Sequence, residues 1–402
     1  MNNFENKNQA YDFDTLINRK GTDSIKWDIP ADGKIPEDVL PMWVADMDFV
    51  TAPRIRERLM EVVAHGIFGY TGVSKEYRSA VQSWFSTRFG WEIEPNWIVS
   101  TTGIVMALSA AVRAFTNEGD AILIQQPVYY PFSNVVRINN RQLVVNLLRE
   151  NMVDGQLRYE MDFEDLEEKI KSQNVKMMIL CNPHNPISRV WDKTDLERLC
   201  EICEKYQVQI VSDEIHCDFI SPGFKHVPFM TLDCPWAKRA VVCTAPSKTF
   251  NLAGLQASNV IIADEELRKT FTDELNRQGI HGAGLFGLAA CRAAYETGAD
   301  WVDELNAYIY GNYQYMKSYI EEHLPKIKVI ELQGTYLLWL DFRAYGYTDE
   351  ELSEQMLNHA KIWVDDGTMF GAGGSGFMRI NLATPRTYIE KALELLTSAF
   401  KC

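Results

Sequence analysis

The 402-residue sequence lacks the features of a membrane protein or a secreted one. It contains no apolar run long enough to span a lipid bilayer. The segment Met1–Lys20 lacks the basic start and the apolar core of a secretory signal. There are neither internal repeats nor low-complexity tracts. These absences favour a globular protein of the cytoplasm.

Positive charge is also scarce. The chain has 40 Lys and Arg against 55 Asp and Glu, which gives a formal net charge of -15 at pH 7. Nucleic acid or an anionic membrane surface would favour a basic stripe, and the sequence shows none. The expected partner is therefore a small molecule, not a nucleic acid or a membrane.

The eight cysteines are scattered along the chain. Four of them lie in apolar segments: Cys181, Cys217, Cys243 and Cys291. Such positions are typical of buried thiols in a reducing cytoplasm, so we expect the cysteines to be reduced. Cys200 and Cys203 form a C-x-x-C pair, but the apolar spacing around them is helical and no second ligand pair follows. A packed helix face is therefore favoured there, and no metal is expected.

From about Ile98 onward, short apolar runs alternate with amphipathic helical stretches, which is typical of a mostly parallel α/β sheet. The predicted strands are Asp120–Ile124, Gln142–Asn146, Lys176–Leu180, Gln209–Ser212, Ala240–Cys243 and Ser258–Ile262. Because the chain is too long for one ordinary core, we predict two domains. Residues 48–295 form a large α/β domain in which helices flank the sheet. Residues 1–47 and 296–402 form an N-terminal arm and a smaller α+β domain.

Ligands of such sheets bind beyond the carboxyl ends of the strands, where this sequence has chemically active residues. Lys248 follows the apolar run Ala240–Cys243 among small hydroxyl residues, and a lysine there can form a Schiff base with an aldehyde cofactor. Asp213 ends a β-branched run. It either caps the following turn or keeps a pyridine nitrogen protonated, so that the ring accepts electrons released at a substrate Cα. Together the two residues indicate pyridoxal 5'-phosphate.

Other loops contain candidate binding groups. Asn185, in the segment Asn182–Pro186, either makes an Asx-turn or donates a hydrogen bond to a phenolate oxygen of the cofactor. Gly103 precedes the predicted helix Met106–Phe115. It marks either a simple helix cap or a helix N-terminus that binds phosphate through free backbone N–H groups. Tyr129 is either a buried core tyrosine or an aromatic face for a pyridine ring.

Arg379 is an isolated arginine in the apolar strand Phe377–Leu382. Its expected partner is a substrate carboxylate bound by two hydrogen bonds, or else an internal carboxylate. The preceding run Gly371–Gly376 matches the dinucleotide fingerprint G-x-G-x-x-G, but it precedes a strand instead of joining a strand to a helix. We therefore interpret it as a flexible loop that leads to Arg379.

In this order the motifs resemble those of the fold-type I pyridoxal phosphate enzymes, the aminotransferase class I/II superfamily. The finer resemblance is to the carbon-sulfur β-lyase branch, the cystathionine β-lyase and cystalysin-like enzymes. It rests on five segments spread over most of the chain: Trp43–Phe49, Asn182–Pro186, Ser212–His216, Ser247–Asn251 and Arg379–Arg386. The resemblance implies a seven-stranded, mostly parallel sheet and β-elimination from cystathionine or other L-cysteine S-conjugates, with release of a thiol, pyruvate and ammonia. An aminotransferase of the same superfamily and a regulatory protein that retains the fold are the alternatives.

The resemblance also implies a set of cofactor-binding residues. Lys248 would hold the cofactor and act as the proton shuttle, and Asp213 would pair with the ring nitrogen. Asn185 would contact the ring oxygen, while Tyr129 would stack on the ring. The phosphate would be bound by the backbone of Gly103 and Ile104 and by Ser247.

Substrate and subunit contacts follow from the same resemblance. Arg379 would hold the substrate carboxylate, and Asn185 and Trp43 would belong to the substrate site. Tyr70 would reach the phosphate of a neighbouring subunit. The active unit would therefore be a homodimer.

Three residues depart from the common pattern of the family. His216 stands where aminotransferases place a tyrosine, as it does in the lyase branch, and we place it among the cofactor-binding residues. Gln256 replaces a basic residue, which weakens the charge balance of the phosphate. Ser188 stands where a glycine often follows the Asn-Pro motif, so a slightly different turn is expected there.

Overall fold

The computed structural model describes residues 10–28, 35–153 and 155–400. Two parts of the predicted N-terminal arm, residues 1–9 and 29–34, lie outside the described residues, as does Cys402. Among the described residues, no helix combines the length and the apolar character needed to cross a membrane.

Strands and helices alternate along most of the described chain. The strands are β1 Leu40–Pro41, β2 Ile98–Thr101, β3 Ala121–Gln126, β4 Gln142–Leu147, β5 Arg149–Val153, β6 Gln156–Glu160, β7 Val175–Cys181, β8 Gln209–Asp213, β9 Val241–Thr244, β10 Ser258–Ile262, β11 Lys328–Val329, β12 Leu337–Asp341, β13 Ile362–Trp363, β14 Asp365–Asp366 and β15 Phe377–Asn381. The helices are α1 Pro53–His65, α2 Lys75–Phe89, α3 Ile104–Phe115, α4 Pro131–Ile138, α5 Phe163–Ser172, α6 Lys193–Tyr206, α7 Pro246–Thr249, α8 Glu265–Arg277, α9 Leu285–Thr297, α10 Ala299–His323, α11 Asp349–Glu354 and α12 Arg386–Ala399. A π-helical turn, Gln355–His359, continues α11.

Seven strands form the large sheet, in the order β2-β10-β9-β8-β7-β3-β4. Neighbouring strands are parallel, except that β10 runs antiparallel to β2 and to β9. In β3, Leu123 enters one hydrophobic core while Ile122 and Ile124 enter another, because helices cover both faces of the sheet. The predicted α/β sheet is confirmed, and each of the six predicted strands is present with bounds shifted by two residues at most.

Four strands form the small sheet, in the order β11-β12-β15-β14, and all of its neighbours are antiparallel. Strand β1 pairs in parallel with β13, so a segment that precedes the large sheet joins the C-terminal part of the chain. A separate α+β region is therefore present after α10, as predicted. The domain boundaries at 47/48 and 295/296 stay a prediction.

The expectation that the cysteines are reduced is wrong for one pair. A disulfide joins Cys200, on α6, to Cys234, in the loop before β9. Both residues are buried, and their Cα atoms lie 6.6 Å apart, within the usual range for a disulfide. The helical pattern correctly places Cys200 and Cys203 on a buried face of α6, where Cys203 is a free thiol. That pattern cannot show which distant loop the face meets, and this is why the pairing was missed.

Residues 43–49, called the bridging segment below, are held by side chains from both parts of the structure. Asn381, at the end of β15, donates from its Nδ2 to Val44 O at 2.8 Å and to Asp46 O at 2.6 Å. Asn251, after α7, donates to Met47 O at 2.9 Å. Its Oδ1 accepts a hydrogen bond from Met47 N at 3.0 Å. The segment is therefore fixed between the small sheet and the loop that follows α7.

A buried carboxylate ties the bridging segment to the N-terminal arm. Asp48 accepts hydrogen bonds from Lys26 Nζ at 2.6 Å, Trp27 Nε1 at 2.7 Å and Arg19 Nη1 at 2.8 Å. Burial opposes ionisation of this carboxyl, but the Lys26 charge and the hydrogen bonds hold the pKa of Asp48 below its usual range. The Lys26 side chain is completely buried, so removal of either Lys26 or Asp48 would leave a buried charge without its ion-pair partner.

Candidate active site

A cavity lies at the carboxyl ends of the parallel strands of the large sheet. Its lining comes from residues after five of these strands: Thr102, Gly103, Ile104 and Val105 after β2; Tyr129 after β3; Cys181 and Asn185 at and after β7; Asp213, Ile215 and His216 at and after β8; Ser247 and Lys248 after β9. Ala45, Ala253, Gln256 and Ala257 complete it. The carboxyl ends of parallel strands meet at one edge of a sheet, which brings these distant residues together.

Lys248 lies on α7, a single helical turn after β9. Its Nζ donates to the backbone oxygen of Ala45, in the bridging segment, at 2.6 Å. Burial, followed by the charge of Arg379, lowers the pKa of Lys248 to about 8, although Asp46 and Asp213 oppose this shift. A substantial fraction of the amine is therefore neutral, and nucleophilic, close to neutral pH.

We expect the Lys248 amine to react with electrophiles at a lower pH than surface lysines do. Only the neutral amine attacks, so its rate rises as the pH passes a pKa of about 8, whereas an ordinary lysine titrates near 10.5. Modification of the cofactor-free protein by trinitrobenzenesulfonate, followed peptide by peptide by mass spectrometry between about pH 6 and about pH 11, measures this difference. Exposed Lys269 is the internal control. Equal midpoints for the two lysines would contradict the lowered pKa.

Asp213 is the last residue of β8, and it is buried between Cys181 and Cys243 of the neighbouring strands. Its Oδ1 accepts a hydrogen bond from Ile215 N at 3.1 Å, so the turn-capping role is present. Burial raises the pKa of Asp213 to about 7, and the Lys248 charge offsets this only in part. A buried carboxylate flanked by neutral thiols is suited to pair with a cationic ring N–H.

Arg379, on β15, is bound by three groups in the structure. Its Nη1 donates to Asn185 Oδ1 at 2.8 Å, and its Nη2 donates to Trp43 O at 3.2 Å. Nη2 also bonds the carboxylate of Asp365, which is the Cα partner of Arg379 on β14. The sequence left open whether Arg379 binds an internal carboxylate, and Asp365 is such a carboxylate. Because Asn185 accepts through Oδ1, its Nδ2 is left as a donor for the cavity that Asn185 lines.

The N-terminus of α3 forms another part of the lining. Helix α3 begins at Ile104 and has no side-chain cap, and its first intrahelical hydrogen bond runs from Ala107 N to Gly103 O at 3.0 Å. The N–H groups of its first turn therefore have no partner within the helix, and with the helix dipole they suit an anion such as phosphate. Ser247 lines the cavity as an additional hydroxyl donor. Gln256 lines it too but brings no charge, as the sequence indicated.

Tyr129 and His216 give the cavity aromatic walls. Burial raises the pKa of Tyr129 to about 12. Burial and the charges of Lys248 and Arg379 lower the pKa of His216 well below its usual range. Both rings are therefore uncharged near neutral pH, and each offers an aromatic face to a planar ligand.

The structure brings most of the predicted residues to the cavity lining, with three exceptions. Arg379 is outside the lining and is connected to it by the hydrogen bond to Asn185. Trp43 contributes its carbonyl to Arg379, while its ring stacks on Trp363 with centroids 4.4 Å apart. Tyr70 lies between α1 and α2 and is fully exposed, away from this cavity lining. The roles assigned to these residues stay predictions.

Three residues of the site were missed at the level of sequence. Ala45 acts through its backbone oxygen, which no side-chain pattern reveals. Tyr336 directly precedes the apolar strand β12, which gives no sign of a site residue, yet its hydroxyl donates to Ala45 O at 2.9 Å. Asp365 belongs to an acidic pair before the glycine-rich loop, and that pair was the only available signal.

The groups of the cavity fit one cofactor chemistry. A reactive amine, a buried carboxylate, an amide donor and an open helix N-terminus lie in one place. They are complementary to an aldehyde, a basic ring nitrogen, a ring oxygen and an anionic group. Pyridoxal phosphate carries all four.

Comparison with known proteins gives concordant matches. The aminotransferase class I and II family model matches residues 37–396. Cystathionine beta-lyase PatB of Bacillus subtilis is 44% identical, over 96% of this chain and 99% of that protein. Cystalysin from Treponema denticola, solved with pyridoxal 5'-phosphate, is 39% identical with a TM-score of 0.92, covering 97% of this chain and 99% of its own. A PLP-bound putative aminotransferase from Clostridium difficile 630 is 41% identical with a TM-score of 0.93. The match covers 97% of this chain and 100% of that one.

Proposed function

The chain belongs to the aminotransferase class I and II family, and we propose that it is a pyridoxal phosphate-dependent carbon-sulfur β-lyase. Its substrate is cystathionine or another L-cysteine S-conjugate, and its products are a thiol, pyruvate and ammonia. One observation carries the proposal. The Lys248 amine and the buried Asp213 carboxyl line the same cavity, in a chain that is 44% identical to a cystathionine beta-lyase.

Pyridoxal 5'-phosphate is the cofactor, and when bound it supplies an electron sink for the electrons released at the substrate Cα. Lys248 Nζ would hold its aldehyde carbon. Asp213 would keep the proton on its ring nitrogen, and Nδ2 of Asn185 would donate to its ring oxygen. The N-terminus of α3, together with Ser247, would bind its phosphate.

The residues of the chain orient the substrate and move one proton. Arg379 binds the substrate carboxylate, and Asp365 and Asn185 hold its guanidinium in place. This orientation keeps the Cα hydrogen within reach of Lys248, whose neutral amine takes the proton. The electron pair left at Cα then expels the thiolate from Cβ. The aminoacrylate that is released hydrolyses to pyruvate and ammonia.

Incubation of the holoenzyme with L-cystathionine, without a keto acid, tests the proposal. We expect pyruvate and thiol to accumulate steadily over many turnovers. L-Alanine, which has no leaving group on Cβ, is the matched control and should yield no thiol. A reaction that stops after one turnover per active site would instead indicate an aminotransferase, and no reaction at all would favour a regulatory protein.

The proposal includes a homodimer in which Tyr70 reaches the phosphate site of the partner subunit. Tyr70 is fully exposed, and the adjacent Ile67 and Phe68 are exposed as well. On α1, Met60 and Val63 add further exposed apolar surface. A group of exposed apolar side chains is typical of a protein interface, which supports contact with a second copy of the chain.

A cytoplasmic location is likewise proposed. Five of the described cysteines are buried free thiols, which is typical of proteins in a reducing compartment. The disulfide between Cys200 and Cys234 disfavours this location, because disulfides are rare there.

A further inference from the structure

The Tyr336 hydroxyl and the Lys248 amine share one hydrogen-bond acceptor, the backbone oxygen of Ala45. The hydroxyl donates to Ala45 O at 2.9 Å, and Lys248 Nζ donates to the same oxygen at 2.6 Å. A carbonyl oxygen has two lone pairs, so it can accept both bonds. Tyr336 is completely buried, and burial raises the pKa of its hydroxyl well above the usual range. The hydroxyl therefore stays protonated, and remains a donor, across the neutral range.

A strained turn determines where Tyr336 enters the site. Thr335, just before it, has a φ of 67°, a left-handed conformation that is unfavourable for a β-branched residue. Its backbone N–H bonds Phe219 O at 2.9 Å, which helps to retain this conformation. At Gly334 a Cβ would lie 2.8 Å from Val190 Cγ2, so only glycine fits there. The strained turn directly precedes Tyr336, which bonds the cavity-lining residue Ala45, and backbone strain retained at such a place points to a functional role.

The carbonyls on either side of Ala45 are fixed as well. Asn381 bonds Val44 O and Asp46 O, and it is the Cα partner of Leu337, the residue that follows Tyr336. Two neighbouring side chains of the small sheet therefore bind three consecutive carbonyls of the bridging segment. The middle carbonyl, that of Ala45, is left with one defined direction in which it can accept the Lys248 amine.

We propose that Tyr336 is a positioning residue for the Lys248 amine and that it acts through the Ala45 carbonyl. The inference rests on the proposed function, in which Lys248 takes the proton from the substrate Cα. Once the substrate is bound, the free amine needs an acceptor that holds Nζ close to that hydrogen. Ala45 O is this acceptor, and the Tyr336 hydroxyl keeps it oriented.

The test is Tyr336→Phe in the holoenzyme, which removes only the hydroxyl. The ring keeps its edge contacts with Phe219, at 4.8 Å, and with His216, at 5.8 Å. We measure exchange of the Cα hydrogen of L-alanine with solvent deuterium by NMR, and alanine affinity from the absorbance of the bound cofactor. Misplacement of the base should slow exchange by about 10-fold to about 100-fold and leave the affinity within about 2-fold.

The matched control is Tyr159→Phe. Tyr159 is also buried, but its hydroxyl accepts a hydrogen bond from Trp339 Nε1 at 3.2 Å and lies outside the cavity lining. This variant should melt at a lower temperature and exchange alanine at the wild-type rate. Wild-type exchange in Tyr336→Phe would overturn the inference, and so would equal losses of exchange and affinity.

Alanine exchange separates this inference from the proposed function, because it requires no leaving group. A wild-type enzyme that exchanges the alanine hydrogen but releases no thiol from cystathionine would contradict the lyase proposal. The comparison between Tyr336→Phe and Tyr159→Phe would still decide the role of Tyr336.

Discussion

Replacing Lys248 with alanine is expected to lower the turnover of cystathionine by about 10⁴-fold. One amine both holds the cofactor and moves the substrate proton, so its loss removes two functions together. Folding should be spared, because the side chain is half-buried and its hydrogen bond goes to a carbonyl that Tyr336 also binds. Pyruvate release measures the loss of turnover, and the visible absorbance of the bound cofactor measures the loss of cofactor attachment.

Lys205→Ala is the control for this substitution. Lys205 is exposed and pairs with Glu167 at 2.7 Å on the surface. Such an exposed pair contributes little to stability, so turnover and cofactor absorbance should both match the wild type. If Lys248→Ala kept a tenth of the wild-type turnover, the amine could not be the base.

Asp213→Asn is expected to lower kcat by about 10²-fold to about 10³-fold. The amide oxygen can still accept the hydrogen bond from Ile215 N, so the turn after β8 should remain. An amide carries no charge, however, and cannot hold a proton on the ring nitrogen. Steady-state kinetics with cystathionine measure the loss, which should fall on kcat more than on KM.

The same substitution should stabilise the cofactor-free protein at high pH. The pKa of Asp213 is about 7 in the folded chain against 3.8 for an ordinary aspartate, so the folded state favours the protonated form. Its contribution to stability is present below the unfolded pKa and is lost as the pH rises through about 7. Asparagine does not ionise, so the variant should melt at a higher temperature than the wild type at about pH 8.

Asp218→Asn is the matched control, because Asp218 is also a buried carboxylate. It accepts a hydrogen bond from Thr249 Oγ1 at 2.8 Å and faces Arg88 Nε at 3.3 Å. Burial raises the pKa of Asp218 as well, so this variant should also melt at a higher temperature than the wild type at about pH 8, while its turnover per folded molecule stays unchanged. Equal losses of kcat in the two variants would show that Asp213 acts through structure alone.

The strands and the residues just beyond them could be predicted because both depend on local patterns. Strand β3 is apolar at successive positions because both of its faces are buried. The carboxyl ends of parallel strands share one edge, so Asp213 and Lys248 could be placed together without any knowledge of strand order. Ser188 was expected to alter its turn. It keeps the left-handed conformation typical of glycine, with a φ of 58°, and its hydroxyl also donates to Leu337 O at 2.6 Å.

The rest of the site depends on contacts between segments that are distant in sequence. The Ala45 carbonyl meets Lys248 and Tyr336 across separations of 203 and 291 residues, and its side chain takes no part. Asp365 reaches Arg379 through the register of β14 on β15, which a pair of acidic residues does not specify. Tyr70 is fully exposed, and its proposed role depends on a second subunit, which one chain does not supply.

The bridging segment has a consequence for how this region can change during evolution. Neighbouring side chains bind its carbonyl oxygens, which every amino acid provides, so substitution at Val44 or Ala45 leaves those acceptors in place. Insertion or deletion of one residue would move each oxygen to the position of its neighbour and remove the acceptor of Lys248. The hydrogen bonds of this stretch therefore depend on its length more strongly than on the identity of Val44 and Ala45.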